Sequence, residues 1–345
     1  MRQDSIRLSL NPSFFAEKER ELLRTSSYSA SLFRYRSGVE ALRVAAGRGA
    51  LVWLPYLGQQ IWDWSVDGKS LKFEGFVEEP AYRRNFLQNY GAFIIHCGMT
   101  AMGNPGPKDT HLHHGELPVA RFDEAWIELC REGEREELSL CGRIHWHVPF
   151  VAEYVFAPSL RLSSDGLSMS VEARIENPSP APLDYMYLAH INFPFTGAER
   201  LSSTTPFDAE HICVRDEGIP GMGARPEGVK RIEQSASYEP ELVAILDDRG
   251  SAEGVSGSIL HYTDGTSRWA RQETAGLDHH VIWMTHAPGR GACGFHLPST
   301  AGPRGLEAEK ALGNVKRLAP GESVTLRYAC GYCDRAADAP VEGAV

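Results

Sequence analysis

The sequence predicts an all-β protein, built as a large antiparallel sandwich or barrel. Short stretches of alternating apolar and polar residues follow one another along most of the 345 residues, which is typical of half-buried strands. Turn signals separate these stretches, and Asp165-Gly166 in "LRLSSDGLSMSVEARIEN" is a strong hairpin signal. Long helical periodicity nearly disappears after residue 25, so a parallel sheet built from βαβ units is disfavoured.

One short N-terminal helix is expected over residues 12–25, "PSFFAEKERELLRT", with Asn11 as its cap and Pro12 at its first position. The stretches that follow are predicted strands. In chain order the main ones are "EALRVAAGRGALVWLPYLG" (two strands around a turn), "SLKFEGFV", "AWIELC", "ELSLCGRIHWHVPFVAEYVF", "LRLSSDGLSMSVEARIEN", "APLDYMYLAHINFPF", "LVAILDD", "SGSILHYT", "HHVIWMTHAPG", "GACGFHLPST" and "GESVTLRYACGY". We therefore divide the chain into a helical lead-in (1–30), one β-sandwich domain (31–333) and a flexible tail (334–345).

Composition narrows the expected partners and location. The net charge is -10, from 45 acidic and 35 basic side chains, and no block of Lys or Arg stands out. This argues against nucleic acid and anionic membranes as partners. The N-terminus lacks a signal-peptide pattern, and no apolar run approaches the roughly 20 residues of a membrane span. Seven scattered cysteines suit free thiols in the cytoplasm, and the oligomeric state is left open.

Histidines are concentrated in "DTHLHHGELP", residues 109–118. Side chains two positions apart on a strand share a face. His111 and His113 form one His-x-His pair here, and His145 and His147 form a second one in "RIHWHVPF". Each pair can therefore present two imidazoles to one ligand. The spacing to the next glutamate does not match a cupin metal site in either case. A divalent metal site thus stays open beside proton transfer and a plain polar patch. Its ligands would be His111, His113, His145 and His147.

The order of several segments resembles the aldose 1-epimerase (galactose mutarotase)-like superfamily, over about residues 40–330. The segments are "GALVWLPYLGQQIWDWSVDGKSL", "LQNYGAFIIHCGMTAMGNPGP" followed by "LHHGELP", "YMYLAHINFPF" and "STAGPRGLEAEKALGNVKRLAPGESVTLRY". The match is closest to a bacterial branch of that superfamily. The resemblance implies a β-sandwich of the galactose mutarotase type, a supersandwich, with a monosaccharide bound in an open cleft on one sheet.

The resemblance also implies a mechanism by proton transfer that requires no cofactor. His114 matches the histidine that orients the sugar, and His190 matches the general acid. In that superfamily a glutamate acts as the general base. Its position corresponds to Leu297 in "GFHLPST", and a leucine side chain cannot take a proton. His296 can replace the glutamate only if a bulge turns that side chain inward; otherwise Glu116 or another carboxylate must enter the cleft.

Three functions follow as hypotheses. The first is an aldose 1-epimerase-like isomerase that uses His114, His190 and His296. The second is a metal-dependent sugar isomerase or lyase on the same fold, and the third is a carbohydrate-binding protein without catalysis. The further candidates for substrate binding are His96, His113, Glu116, Asn192 and Arg84.

Overall fold

The computed structural model describes residues 4–208, 210–214, 241–249, 251, 253–287 and 290–341. Nearly all regular structure in these ranges is antiparallel β-strand, arranged in two large sheets. The predicted all-β sandwich is therefore confirmed. The structure also confirms the hairpin at Asp165-Gly166, which joins two paired strands, Ala152–Leu162 and Ser168–Glu176.

The first sheet contains nine strands within the described residues. In spatial order they are β1 (Asp4–Ser9), β9 (Glu124–Glu132), β10 (Arg135–Val148), β11 (Ala152–Leu162), β12 (Ser168–Glu176), β23 (Ser323–Cys333), β19 (Ser267–Glu273), β18 (Val255–His261) and β15 (Arg200–Ser203). Sequential strands β9 to β12 pair as hairpins, whereas β23, from much later in the chain, lies between β12 and β19 and pairs with both.

The second sheet contains fourteen strands in the described part of the chain. Eleven follow one path: β16 (Ile212–Val214), β17 (Leu242–Asp247), β20 (His279–Ala287), β21 (Arg290–Ser299), β13 (Leu183–Ile191), β8 (Ile94–Met99), β6 (Ile61–Val66), β5 (Gly49–Trp53), β4 (Glu40–Ala46), β3 (Tyr28–Arg34) and β2 (Arg20–Arg24). The three short strands beside this path are β7 (Lys69–Ser70), β14 (Phe193–Pro194) and β22 (Lys316–Leu318).

The main core lies between the two sheets. Tyr187 on β13 faces Phe156 on β11, with ring centroids 6.0 Å apart. Because side chains alternate along a strand, the neighbours of Tyr187 on β13 face away from this core. The opposite face of the second sheet is thereby free to form a separate site.

The predicted helix over residues 12–25 is wrong in its extent. Asn11 caps as expected, accepting a hydrogen bond from the Ser13 amide at 2.9 Å, but the helix is a single 3-10 turn, Pro12–Phe14. Arg20–Arg24 instead pairs with β3 as an edge strand. Hydrogen bonds to a neighbouring strand outweigh a local helical preference, which is worth little per residue.

Helices are few in the described residues. The α-helix is Leu306–Ala311, and the other 3-10 helices are Phe86–Asn89, Leu117–Val119 and Ala336–Asp338. Pro340, in the expected tail, accepts a hydrogen bond at its carbonyl from Arg271 at 2.8 Å. The division of the chain into lead-in, domain and tail stays a prediction. No helix among the described residues has the length and apolar character to cross a bilayer, and all seven cysteines are free.

Two buried histidines lie on the core side of the second sheet. His96 Nδ1 is 2.6 Å from the Tyr187 hydroxyl, and His296 Nδ1 is 3.0 Å from the Ser258 hydroxyl. Burial lowers the pKa of His96 to about 3 and holds the pKa of His296 well below its ordinary value. Both imidazoles are therefore neutral in the native protein at neutral pH.

The pKa of His96 is 6.5 in its ordinary environment and about 3 in the native protein. We expect the free energy of unfolding to fall as the pH drops between these two values. In that window the unfolded chain binds protons that the native chain excludes, so stability rises with pH. Each such histidine contributes about 1.4 kcal/mol per pH unit. Urea unfolding between pH 4 and pH 7 measures this slope.

His96→Gln should reduce the slope by one histidine's share. His147→Gln, an exposed histidine on β10, is the matched control and should leave the slope unchanged. A His96→Gln protein with the wild-type slope would contradict the assignment of His96 as a buried neutral imidazole.

Candidate active site

A cavity of about 260 Å³ lies on the face of the second sheet that points away from the core. Its floor comes from β13, β17, β20 and β21, and two loops form its walls. One wall comes from the 3-10 helix Phe86–Asn89 and the other from the histidine-rich stretch at residues 109–118. The side chains with hydrogen-bonding groups that line it are Tyr90, Asn104, His113, His114, His190, Glu241 and Trp283.

His190 enters the cavity from β13 and is held by a tyrosine. The ring is 4% exposed, and burial lowers its pKa to about 3, so the imidazole is neutral at neutral pH. The Tyr90 hydroxyl lies 3.3 Å from His190 Nδ1 and 2.7 Å from Asn192 Oδ1. Asn192 Nδ2 donates to the Ala92 carbonyl at 2.9 Å, which fixes the orientation of its amide.

These contacts determine which nitrogen of His190 carries the proton. Asn192 Oδ1 can only accept, so the single hydroxyl proton of Tyr90 is donated to it in the shorter bond. The Tyr90 oxygen then accepts from His190 Nδ1–H. His190 Nε2 is consequently left with a lone pair, and His190 can accept a hydrogen bond from a ligand through that atom.

The histidine loop has a constrained backbone. His114 has φ 59° and Gly115 has φ 80°, both in the left-handed region that non-glycine residues rarely adopt. A Cβ on Gly115 would lie 2.3 Å from the Gly98 carbonyl oxygen. The His114 amide donates to the Gly103 carbonyl, and the Gly98 amide donates to the His114 carbonyl, each at 2.9 Å. The backbone thus fixes where the His114 ring enters the cavity.

The three cavity histidines form one aromatic cluster. The ring centroids of His113 and His114 are 4.5 Å apart, and those of His114 and His190 are 5.5 Å apart. Phe86 stacks on His113 at 5.9 Å. Because the packed neighbours leave these rings little freedom, their nitrogens are positioned before any ligand arrives.

Glu241 places a carboxylate in the cavity, which Leu297 also lines. Glu241 directly precedes β17 and is 7% exposed. The Trp283 indole donates its Nε1–H to Glu241 Oε2 at 2.8 Å, and the Trp283 ring lies 5.2 Å from the His190 ring. No sequence pattern pointed to Glu241, because it lies 56 positions before Leu297 and reaches the cavity from the start of a different strand.

Three other candidates lie outside the cavity. Leu297 lines it, so the adjacent His296 faces the opposite side, where it stacks on His280 at 4.1 Å. His96 is also on the core side. Glu116 accepts hydrogen bonds from the Thr100 and Tyr154 hydroxyls and anchors the histidine loop.

The two remaining binding candidates differ in position. Arg84 is exposed and does not line the cavity. Asn192 is fully buried behind His190 and acts on it through Tyr90. The structure therefore brings His113, His114 and His190 together with Glu241, a combination that sequence spacing did not indicate.

The four histidines of the metal hypothesis do not meet. His111 borders a separate cavity together with Asp109, whereas His113 lines the cavity of His190. His145 and His147 are exposed on β10, where His145 Nε2 contacts Glu153 Oε1 at 2.7 Å. Across the described ranges, no three His, Cys, Asp or Glu side chains form a group that could hold a metal ion.

A family model with the description domain of unknown function (DUF4432) matches residues 36–331. The chain belongs to the DUF4432 family. The match covers most of both sheets and the whole cavity, so the site just described is formed within the family domain. No curated protein matches the chain.

Solved structures show what this DUF4432 protein is similar to. A proposed aldose 1-epimerase from Klebsiella pneumoniae has a TM-score of 0.80 at 14% identity, over 97% of this chain and 93% of that one. A galactose mutarotase-like protein from Clostridium acetobutylicum has a TM-score of 0.60 at 14% identity, over 92% and 98%. A proposed aldose 1-epimerase from Escherichia coli K12 has a TM-score of 0.57 at 14% identity, over 84% and 97%.

At these identities the comparison shows the fold alone. The expected galactose mutarotase-type sandwich is confirmed, and with it the resemblance to the aldose 1-epimerase-like superfamily. The description of the family names no activity.

Tyr90→Phe is expected to release His190 from its single tautomer, since Nδ1–H loses its acceptor. It should also destabilise the protein by about 1–3 kcal/mol, because buried Asn192 Oδ1 loses its donor. Two-dimensional ¹H–¹⁵N NMR of labelled imidazoles measures the tautomer: Nε2 should be unprotonated in the wild type and partly protonated in Tyr90→Phe.

Tyr82→Phe is the matched control. That tyrosine hydroxyl contacts Glu40, outside the cavity, and its removal should leave the His190 signals in place. A wild-type spectrum with a proton on His190 Nε2 would contradict the assigned tautomer.

Proposed function

We propose that this DUF4432 protein is a carbohydrate-active isomerase that interconverts the anomers of a free monosaccharide, in the manner of an aldose 1-epimerase. The observation that carries the proposal is the meeting of Glu241 with the histidine cluster in one cavity. Anomer exchange needs a proton acceptor and a proton donor, and both residue types are present there. The names of the Klebsiella and Clostridium proteins support the same class of reaction.

The acceptor and the donor are the two ends of a chain of contacts within the cavity. Ring and hydrogen-bond contacts run in sequence from His114 to His190, from His190 to Trp283, and from Trp283 to Glu241. A pyranose between the two ends would have one side towards Glu241 and the other towards His114. This arrangement suits a reaction in which a proton leaves one oxygen of the sugar as another proton arrives at a second oxygen.

Glu241 is the proton acceptor in this proposal. Its carboxylate takes the proton of the anomeric hydroxyl, while imidazolium His114 gives a proton to the ring oxygen as the bond between that oxygen and C1 breaks. The open-chain aldehyde rotates about its C1–C2 bond. The ring then closes on the other face, and both protons return to the groups that supplied them. Only protons move, so the reaction as proposed calls for no cofactor.

His190 has an orienting role rather than the acid role that the resemblance implies. A charge on its fully buried ring is disfavoured, as its pKa of about 3 indicates. We assign the donor role to His114, which is only half-buried. Neutral His190 can instead accept a hydrogen bond from a sugar hydroxyl through Nε2.

Glu241→Gln should lower kcat for anomer exchange by about 10²–10⁴-fold, the usual contribution of a general base. The substitution keeps the size of the side chain and an acceptor for the Trp283 Nε1–H. NMR exchange spectroscopy on a panel of aldoses at equilibrium measures the rate.

Glu153→Gln is the control, because that glutamate lies on the far hairpin and pairs with exposed His145. Its rate should match the wild type. If the wild type accelerates exchange of no aldose in the panel, the proposed activity is wrong; measurable sugar affinity without turnover would then favour the carbohydrate-binding hypothesis.

His114→Gln and His190→Gln should have different kinetic effects. Loss of the proton donor should reduce kcat and kcat/KM together, whereas loss of an orienting hydrogen bond should raise KM about tenfold with a smaller change in kcat. Saturation kinetics by the same exchange method separate the two. The reverse pattern would assign the acid role to His190.

A further inference from the structure

The floor of the cavity is aliphatic. Leu188, Leu297, Val281 and Val243 come from the four adjacent strands β13, β21, β20 and β17, and all four line the cavity. Val281 lies directly opposite Leu297 in the strand pairing. Each of the four side chains is at most 4% exposed. Together they form one continuous apolar surface beneath the ligand.

The walls continue this apolar character. Phe86 is buried in the wall, Pro303 lines it, and Leu87 is 56% exposed where the wall reaches solvent. Four of the polar lining side chains, His114, His190, Trp283 and Glu241, are joined by the contacts described above. The cavity therefore combines a linked set of polar side chains, where the proposed proton transfer takes place, with a set of aliphatic side chains that cannot form hydrogen bonds.

A fully hydroxylated sugar fits such a cavity poorly. Its ring carries hydroxyls around most of its edge, and any hydroxyl placed on the aliphatic floor loses water without gaining a partner. A sugar with a methyl or methylene group at that place loses no hydrogen bond and gains apolar contact. The volume of about 260 Å³ is at the small end for a ligand pocket, and suits one monosaccharide unit rather than a chain.

We propose that the substrate class is the deoxysugars, bound with the deoxygenated carbon on the floor formed by Leu188, Leu297, Val281 and Val243. This inference rests on the proposed function, because it takes the anomeric centre to lie between His114 and Glu241. Leu297 stands at the position that the resemblance to aldose 1-epimerases assigns to a glutamate. In this inference Leu297 forms part of the apolar floor, and Glu241 supplies the carboxylate.

Matched sugar pairs test the inference with the wild-type protein. Anomer exchange is measured by NMR for 6-deoxy-D-galactose against D-galactose, 6-deoxy-D-glucose against D-glucose, and 2-deoxy-D-ribose against D-ribose. In at least one pair, kcat/KM for the deoxysugar should exceed that for its parent by about tenfold to a hundredfold, the range over which an apolar pocket rejects an added hydroxyl.

Val281→Thr is the matched variant, because it keeps the shape of the side chain and adds a hydroxyl to the floor. It should reduce the preference for the deoxysugar by about tenfold. Val151→Thr, on the exposed β10–β11 hairpin, should leave the preference unchanged. Calorimetric affinities of Glu241→Gln for the preferred pair should show the same ratio, independently of turnover.

The outcomes separate the two proposals. Exchange of hydroxylated parents as fast as their deoxy partners, with no effect of Val281→Thr, overturns the deoxysugar inference and leaves the epimerase function standing. Exchange of no sugar in any pair overturns the epimerase function. In that case a deoxysugar preference in the calorimetric affinities supports the assignment of the floor, and equal affinities overturn it.

Discussion

The alternation of side chains across the second sheet is the constraint on which the site depends. Each of the four strands that form the cavity floor, β13, β17, β20 and β21, directs one residue to the core and the next to the cavity. Tyr187 packs against the first sheet while Leu188 lines the cavity, and His296 is buried beside Ser258 while Leu297 forms the floor. A change of register by one residue would exchange the two sets, so the pairing that builds the sandwich also determines the chemistry of the cavity.

Burial gives two histidines of the cavity different properties. At the sheet, His190 is enclosed and neutral, and a hydrogen bond from its Nδ1–H to Tyr90 determines which nitrogen faces a ligand as an acceptor. At the loop, half-buried His114 retains contact with solvent. Glu241 is buried, but the Trp283 indole donates to it. The same residue type can therefore serve different roles a few ångströms apart.

Different interactions hold the strands and the loop of the cavity in place. Strands supply a rigid floor, because each strand in it is hydrogen-bonded on both sides. The histidine loop is held by backbone hydrogen bonds and by the close approach of Gly115 to Gly98, which leaves no room for a side chain. Glu116 adds a side-chain anchor to Thr100 and Tyr154. A loop fixed in this way can position an imidazole almost as well as a strand can.

The sequence by itself determined the all-β class, the hairpin at Asp165-Gly166 and the cap at Asn11, because alternation, turn chemistry and capping depend on residues that are close in the chain. The order of its motifs also pointed to the mutarotase-type fold. Only the tertiary structure decided that Arg20–Arg24 is a strand, that His296 faces the core, and that Glu241 reaches the cavity. Each of these depends on which strand lies alongside and in what register, and those partners are distant in sequence, so no local pattern records them.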